Sequence, residues 1–245
     1  MMLNFTKTIS IFLILQLGIC FSTEITGPEI LEKSIKRMDG IDHIISVEAS
    51  TYKKNDEPKT KILNISVHYG EDSKNYKMIY LEEGSNGSKG RELLIHEMKD
   101  KTMRTWVKYP KSGKVKEVKD KKLSKKIDIS EITIPLSFID KPITVIGDET
   151  VNDISCKVIE VINEDEKIKL WIDLEDFIVH RKEYYDKKSK LYKSIVCTDL
   201  VSQDKVKFYK NLTTKYLKDK TTTELVVSEF KMTDFKDTSL FSVPE

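Results

Sequence analysis

A chain of 245 residues, 39% hydrophobic and 33% charged, is long enough for one sizeable domain and has the balance of a soluble globular protein. The net charge is +2, falling to +1 if a leader carrying Lys7 is removed, which steers the protein to no nucleic acid and to no strongly charged partner. Ala49 is the sole alanine in a chain rich in Lys and Ile, a compositional bias that takes functional weight from single lysines.

Residues 1–22 read as a cleaved export signal. Lys7 precedes an apolar run over residues 9–21, and Cys20 and Ser22 are small residues at the spacing of a cleavage site after Ser22. The run is shorter than the about 20 residues of a membrane span. A lipid anchor on Cys20 is disfavoured by the bulky Ile19 before it. The mature chain is therefore expected to be exported, as a single domain over residues 23–245.

A helix follows. Pro28 suits a first turn, Ile30, Leu31, Ser34, Ile35 and Met38 share one face, and Gly40 closes it. Strands are expected at His43–Tyr52, Thr60–Tyr69 and Asn75–Leu81, then a polar turn, a return strand and Thr102–Tyr109. Residues 108–126 hold nine lysines and read as a solvated hairpin and loop. Residues 127–146 carry Pro135 and Pro142, which forbid one long helix or a central strand. They read as a short helix and loop, apolar enough to form a lid. From Ile154 a meander is expected, with strands Ile154–Ile162, Lys167–Asp173, Phe177–Tyr185, Leu191–Leu200, Val206–Tyr216 and Thr222–Phe235.

In that order Cys156 and Cys197 lie about three strand spacings, or about 14 Å, apart. A disulfide needs Cα atoms within about 7 Å, so both thiols are expected to be free.

No catalytic constellation stands out. His43, His68, His96 and His180 lack partners at metal-ligand spacing and read as strand-surface residues. Asp173, Glu175 and Asp176 read as an acidic turn with Arg181 as a surface partner. The sequence points to no enzyme, no cofactor and no metal.

Several segments are similar to one family. Leu170-Trp171-Ile172-Asp173, then Arg181, Glu183, Tyr185, Asp186, Leu191 and Lys193, follow a strand-and-hairpin pattern in which Ser189 replaces a glycine. Upstream, Lys89-Gly90, Leu93-Leu94 and Trp106 to Pro110 match in order. Near the end, Thr222 or Thr223, Leu225, Asp237 and Leu240-Phe241 match too. Together they resemble the LolA/LolB-like outer-membrane lipoprotein-sorting proteins and their RseB-like relatives. The resemblance implies a mainly β fold: an unclosed, curved antiparallel β-barrel with an N-terminal helix and a short helical lid. It implies a monomeric carrier in the periplasm that binds acyl chains of lipids or lipoproteins in an apolar cavity and meets an inner-membrane protein. An envelope-stress sensor on the same fold is the alternative. The candidate ligand-binding residues are Met78, Tyr80, Trp106, Leu170, Trp171, Ile172 and Ile178 in the wall, with Ile134, Leu136, Phe138 and Ile139 in the lid. A slip of one residue exchanges the two faces of a strand, so the face of each wall residue is left open.

Overall fold

A computed structural model describes residues 24–70, 73–81, 91–109, 112–118, 129–203 and 205–243. The expected export signal, with Cys20, lies outside them, as do the turn at 82–90 and the end of the lysine-rich segment.

Helix α1 spans Gly27–Lys36. The Thr26 side chain accepts a hydrogen bond from the Glu29 N–H, and the Glu29 carboxylate accepts one from the Thr26 N–H at 2.8 Å. This reciprocal cap satisfies two amides that the first turn leaves open. Ile30, Leu31, Ser34 and Ile35 form the buried face. At the helix start, a Cβ on Gly27 would stand 2.9 Å from Ile143 Cγ2, so the glycine permits close seating on the sheet.

Among the described residues, thirteen strands form one antiparallel sheet. The first half holds β1 (His43–Lys53), β2 (Lys59–Tyr69), β3 (Ser73–Leu81), β4 (Arg91–Met98), β5 (Met103–Lys108) and β6 (Val115–Glu117). The second holds β7 (Ile143–Val151), β8 (Ile154–Asn163), β9 (Glu166–Ile172), β10 (Val179–Tyr185), β11 (Leu191–Gln203), β12 (Val206–Tyr216) and β13 (Thr221–Met232). Each half is a meander. The halves join where β1 pairs with β13, so the chain's two ends meet mid-sheet and β6 and β7 are its free edges. The sheet does not close, and it carries the helix and lid on one face: the half-barrel expected from the resemblance.

Strand β7 is absent from the sequence reading. Residues 143–146 alternate half-buried with exposed, but a bulge at Gly147 then interrupts the register with β8 and residues 147–150 are exposed, so the alternation is too short to mark a strand. The bulge also blunts a free edge against pairing with another chain.

Between the two edge strands, residues 129–142 lie on the inner face. They contain α2 (Ile129–Ile132) and a 3-10 turn at Leu136–Asp140. Pro135 falls between them, immediately before the 3-10 turn, so no single long helix forms, as the sequence suggests.

Two apolar clusters fill the inner face. One joins Val47, Leu63, Ile65, Leu93, Ile95 and Leu225 from the central and first-half strands. The other seats Ile30 and Leu31 of α1 on Ile159, Ile168, Leu170 and Ile172. Two smaller clusters lie apart from these, around Trp171 with Cys156 and Val158, and around Trp106 with Leu94 and Phe241.

Cys156 and Cys197 are both buried and free. β8 and β11 are three steps apart in the sheet, as the meander requires. The thiols also belong to different clusters, Cys197 beneath α1 and Cys156 beside Trp171. Burial pushes both thiols up to about 11, so they stay protonated at neutral pH. Titration with a disulfide reagent is expected to find both thiols silent in the native protein and both reactive in denaturant. A native protein without free thiols after denaturation contradicts this packing.

Candidate ligand-binding cavity

A cavity of about 230 Å³ lies on the inner face, between the central strands, the end of α1 and the lid. Its position follows from the chain. α1 is only ten residues long and covers the second-half strands, so it ends short of the central seam. The uncovered residues of β1, β2 and β13 then make the floor, with Ile45, Val47, Ile65, Val67, Leu225 and Val227. Leu212 and Cys197 extend it across β12 and β11. Ile132 and Ile134 close it from the lid; Ile178, just before β10, and Val179, at its start, close it as well.

One end is aromatic. Phe208 stacks on Phe230 with centroids 4.5 Å apart, and His43 stacks on Phe230 at 5.4 Å. Tyr69 lies near His43, at 6.3 Å. Arg37 and Met38, just beyond α1, complete this end and are half-buried.

Polar side chains hold the lid. Glu131 is fully buried, and its carboxylate accepts hydrogen bonds from Thr214 Oγ1 at 3.1 Å and from the Tyr216 hydroxyl. Lys182 Nζ donates to the Thr133 carbonyl at 3.3 Å. The Leu136 N–H donates to buried Glu97 at 2.7 Å, and Lys101 pairs with Asp140. The lid is thus tied to β12 and β10 on one side and to β4 and its turn on the other. None of these bonds is legible in the sequence, because each joins residues 39 or more positions apart.

A second buried network supports the wall. Asp173 directly follows β9 and accepts from the Asp176 N–H at 2.6 Å and the Ile178 N–H at 2.9 Å. His180 Nε2 sits 2.8 Å from the same carboxylate. With that N–H donating, Nδ1 of a neutral ring accepts from the Tyr209 hydroxyl. Burial pushes the Asp173 carboxyl up, but its bonds from Asp176, His180 and Ile178 outweigh this and hold it below the usual range. Burial raises the Tyr209 hydroxyl above its ordinary value, so it remains a donor. The arrangement orients the strand ends that carry Ile178 and Tyr209. It corrects the surface reading of His180, which is 1% exposed, and of Asp173, at 5%. His43 is buried as well. Arg181 pairs with Glu183 and lies over the Trp171 ring at 4.5 Å, so it is no partner of the acidic turn.

The candidate residues from the sequence divide by position. Ile134 and Ile178 line the cavity. Leu170, Ile172, Leu136, Phe138 and Ile139 pack in the cluster beneath α1, beside the cavity and not on its surface. Trp171 and Trp106 belong to the two smaller clusters. Trp171 Nε1 donates to Glu149 at 2.9 Å, and Trp106 is covered by Phe241 from the C-terminal turn at Ser239–Phe241. Neither tryptophan reaches the cavity, because each lies one residue out of phase with the strand positions that point inward. Met78 and Tyr80 lie on β3, in register with Ile65 and Leu63, and their side chains fall outside the described residues.

The sequence matches a protein-family model described as "Uncharacterized protein" over residues 73–244. No curated protein matches it. Among solved structures, a putative outer membrane lipoprotein-sorting protein domain from Vibrio parahaemolyticus superposes with a TM-score of 0.74 at 19% identity, over 88% of this chain and 95% of the other. A DUF1329 family protein from Desulfovibrio piger gives 0.76 at 15%, over 88% and 95%. A LolA superfamily protein from Nitrosomonas europaea gives 0.68 at 16%, over 89% and 98%. These likenesses establish the fold.

Proposed function

Since the chain belongs to the family whose model spans residues 73–244 and has the fold of LolA-superfamily proteins, we propose that it is an exported, non-catalytic carrier of acyl chains in the periplasm. Its cargo on this reading is a lipid or the acyl part of a lipoprotein on its way to the outer membrane. The observation that carries the reading is the apolar cavity at the central seam, floored by strands from both ends of the chain and roofed by the lid.

The physics suits the task. Each methylene taken from water is worth about 0.8 kcal/mol, so holding a sixteen-carbon chain free in water costs on the order of 12 kcal/mol. A floor of Val, Ile and Leu offsets much of that. Release needs the lid to lift. The lid is held by a few hydrogen bonds and by the half-buried or buried Ile132, Ile134, Leu136, Phe138 and Ile139, which is the low end of local stability. On this reading Ile134 and Ile178 touch the cargo, while Leu170, Ile172 and Phe138 set the shape of the chamber beside them.

Native mass spectrometry of the protein purified from its own envelope is expected to show adducts with acyl-chain masses, lost on delipidation. A protein that carries no adduct, and takes up no added fatty acid or detergent-free lipid, contradicts the proposal.

A further inference from the structure

The cavity's charged residues do not balance. Arg37 and Lys182 line it, against Glu131 as the lining carboxylate. Glu131 is engaged by Thr214 and Tyr216, and Lys182 by the lid carbonyl of Thr133. Arg37 differs from both. Among the described residues its guanidinium makes one hydrogen bond, from Nη1 to the Lys207 carbonyl at 3.0 Å, and pairs with no carboxylate. A guanidinium has five N–H donors, so most of its capacity is open. The carboxylates whose fields reach it, Asp173 and Asp176, are committed elsewhere: Asp173 to His180, and Asp176 to Lys207 Nζ at 2.5 Å. A part-buried cation with spare donors is costly unless something anionic completes it.

Its surroundings suggest what does. Arg37 sits at the aromatic, partly open end, beside Met38, Phe208 and Tyr69. The opposite direction leads along Val47, Ile65 and Leu225, all nearly fully buried. Polar capture at one end and an apolar run at the other describe an amphiphile. The cavity, at about 230 Å³, is below the range of about 300–1,000 Å³ typical of pockets for drug-sized ligands. That is room for one chain and not for several.

We propose that the cavity selects a single-chain anionic amphiphile, its carboxylate or phosphate head on Arg37 and its alkyl chain along β1, β2 and β13. This rests on the acyl-carrier reading and narrows it. An arginine fork matches either head in two parallel hydrogen bonds, whereas a neutral alcohol head makes one.

The test uses the full exported chain and displacement of the neutral dye N-phenyl-1-naphthylamine by dodecanoate, dodecyl phosphate and dodecanol. At least one anion is expected to bind about 10- to 100-fold more tightly than dodecanol. Arg37→Met is expected to bring the anions down to about the affinity of dodecanol, while dodecanol, which loses one hydrogen bond, weakens about tenfold or less. Tighter dodecanoate identifies a fatty acid as the class, and tighter dodecyl phosphate a lysophospholipid. Equal affinities for all three in the wild type overturn the head-group assignment and leave the acyl-carrier reading standing. Failure of the dye and all three compounds to bind overturns the carrier reading itself. Should Arg37→Met lose its cooperative melt, Arg37→Lys carries the test. It keeps the charge but not the fork, and is expected to weaken dodecanoate about tenfold with dodecanol unchanged; no change in either overturns the role of Arg37.

Discussion

Asp173→Ala is expected to destabilise the protein by about 3–5 kcal/mol, read as a lower midpoint in urea with an unchanged slope. The carboxylate is buried and holds three donors: the N–H groups of Asp176 and Ile178, and His180. Truncation leaves all three without their acceptor in a site nearly closed to water, and each such loss costs about 1–3 kcal/mol. His180→Ala should cost less, because it frees one bond to Asp173 and one from Tyr209 while the two backbone amides keep their acceptor. The ordering of the two variants is the diagnostic part; a larger loss for His180→Ala contradicts the geometry. The same network gives a pH dependence. The folded carboxyl lies below its unfolded value of about 3.9. Its contribution is therefore complete above that value and is lost as pH falls through the folded one. Wild type should lose stability faster than Asp173→Asn as pH drops below about 4.

The second large effect concerns binding. Val227→Trp places an indole in the cavity from β13, opposite Val47 across the central seam. Val227 is half-buried and borders open space, so the ring grows into the chamber and not into a filled core. A stability cost within about 1–3 kcal/mol is expected. Excluding about four methylenes of ligand, at about 0.8 kcal/mol each, removes about 3 kcal/mol, or more than 100-fold in affinity. Dye displacement by dodecanoate reads this directly. Trp171→Phe is the matched control, since Trp171 lies outside the chamber: it should bind as wild type. If Val227→Trp binds normally while Trp171→Phe does not, the cargo sits elsewhere.

Those two variants show where the sequence was and was not informative. Alternation in the segments around Ile65 and Leu170 carried the strands, and the order of the hairpin motifs carried the half-barrel. Alternation cannot say which face is inner. Trp171 and Ile172 are adjacent, yet one packs beside Arg181 and the other beneath α1. The large aromatics drew attention because they are large, while the chamber is floored by ordinary Val, Ile and Leu from β1, β2 and β13. That floor depends on β1 pairing with β13, a contact between the two ends of the chain that no local pattern announces. The Asp173–His180 pair left a faint trace, an acid closing one strand and a histidine opening the next. It resembled a surface turn because burial comes from Tyr209 on a distant strand.

Ser189 is a small case of a motif explained by backbone. The hairpin between β10 and β11 places residue 189 at φ 58°, where glycine is cheapest. Asp186 anchors the turn by accepting from the N–H groups of Lys188 and Lys190. The serine is tolerated there at a small conformational cost.

The central seam has a temporal consequence. His43 pairs with Met232, and Lys53 with Thr221, so the strand made first waits for the strand made last. A chain delivered N-terminus first, whether from a ribosome or through an export channel, can zip β2 onto β1 early but leaves the other side of β1 bare until residues 221–232 have emerged. Closing so long a loop is entropically slow, and the bare strand is an adhesive edge meanwhile. The floor of the chamber is assembled by that final pairing. The protein therefore gains its shape and its capacity to hold cargo in the same late step, and no nascent fragment that lacks β13 carries a finished chamber.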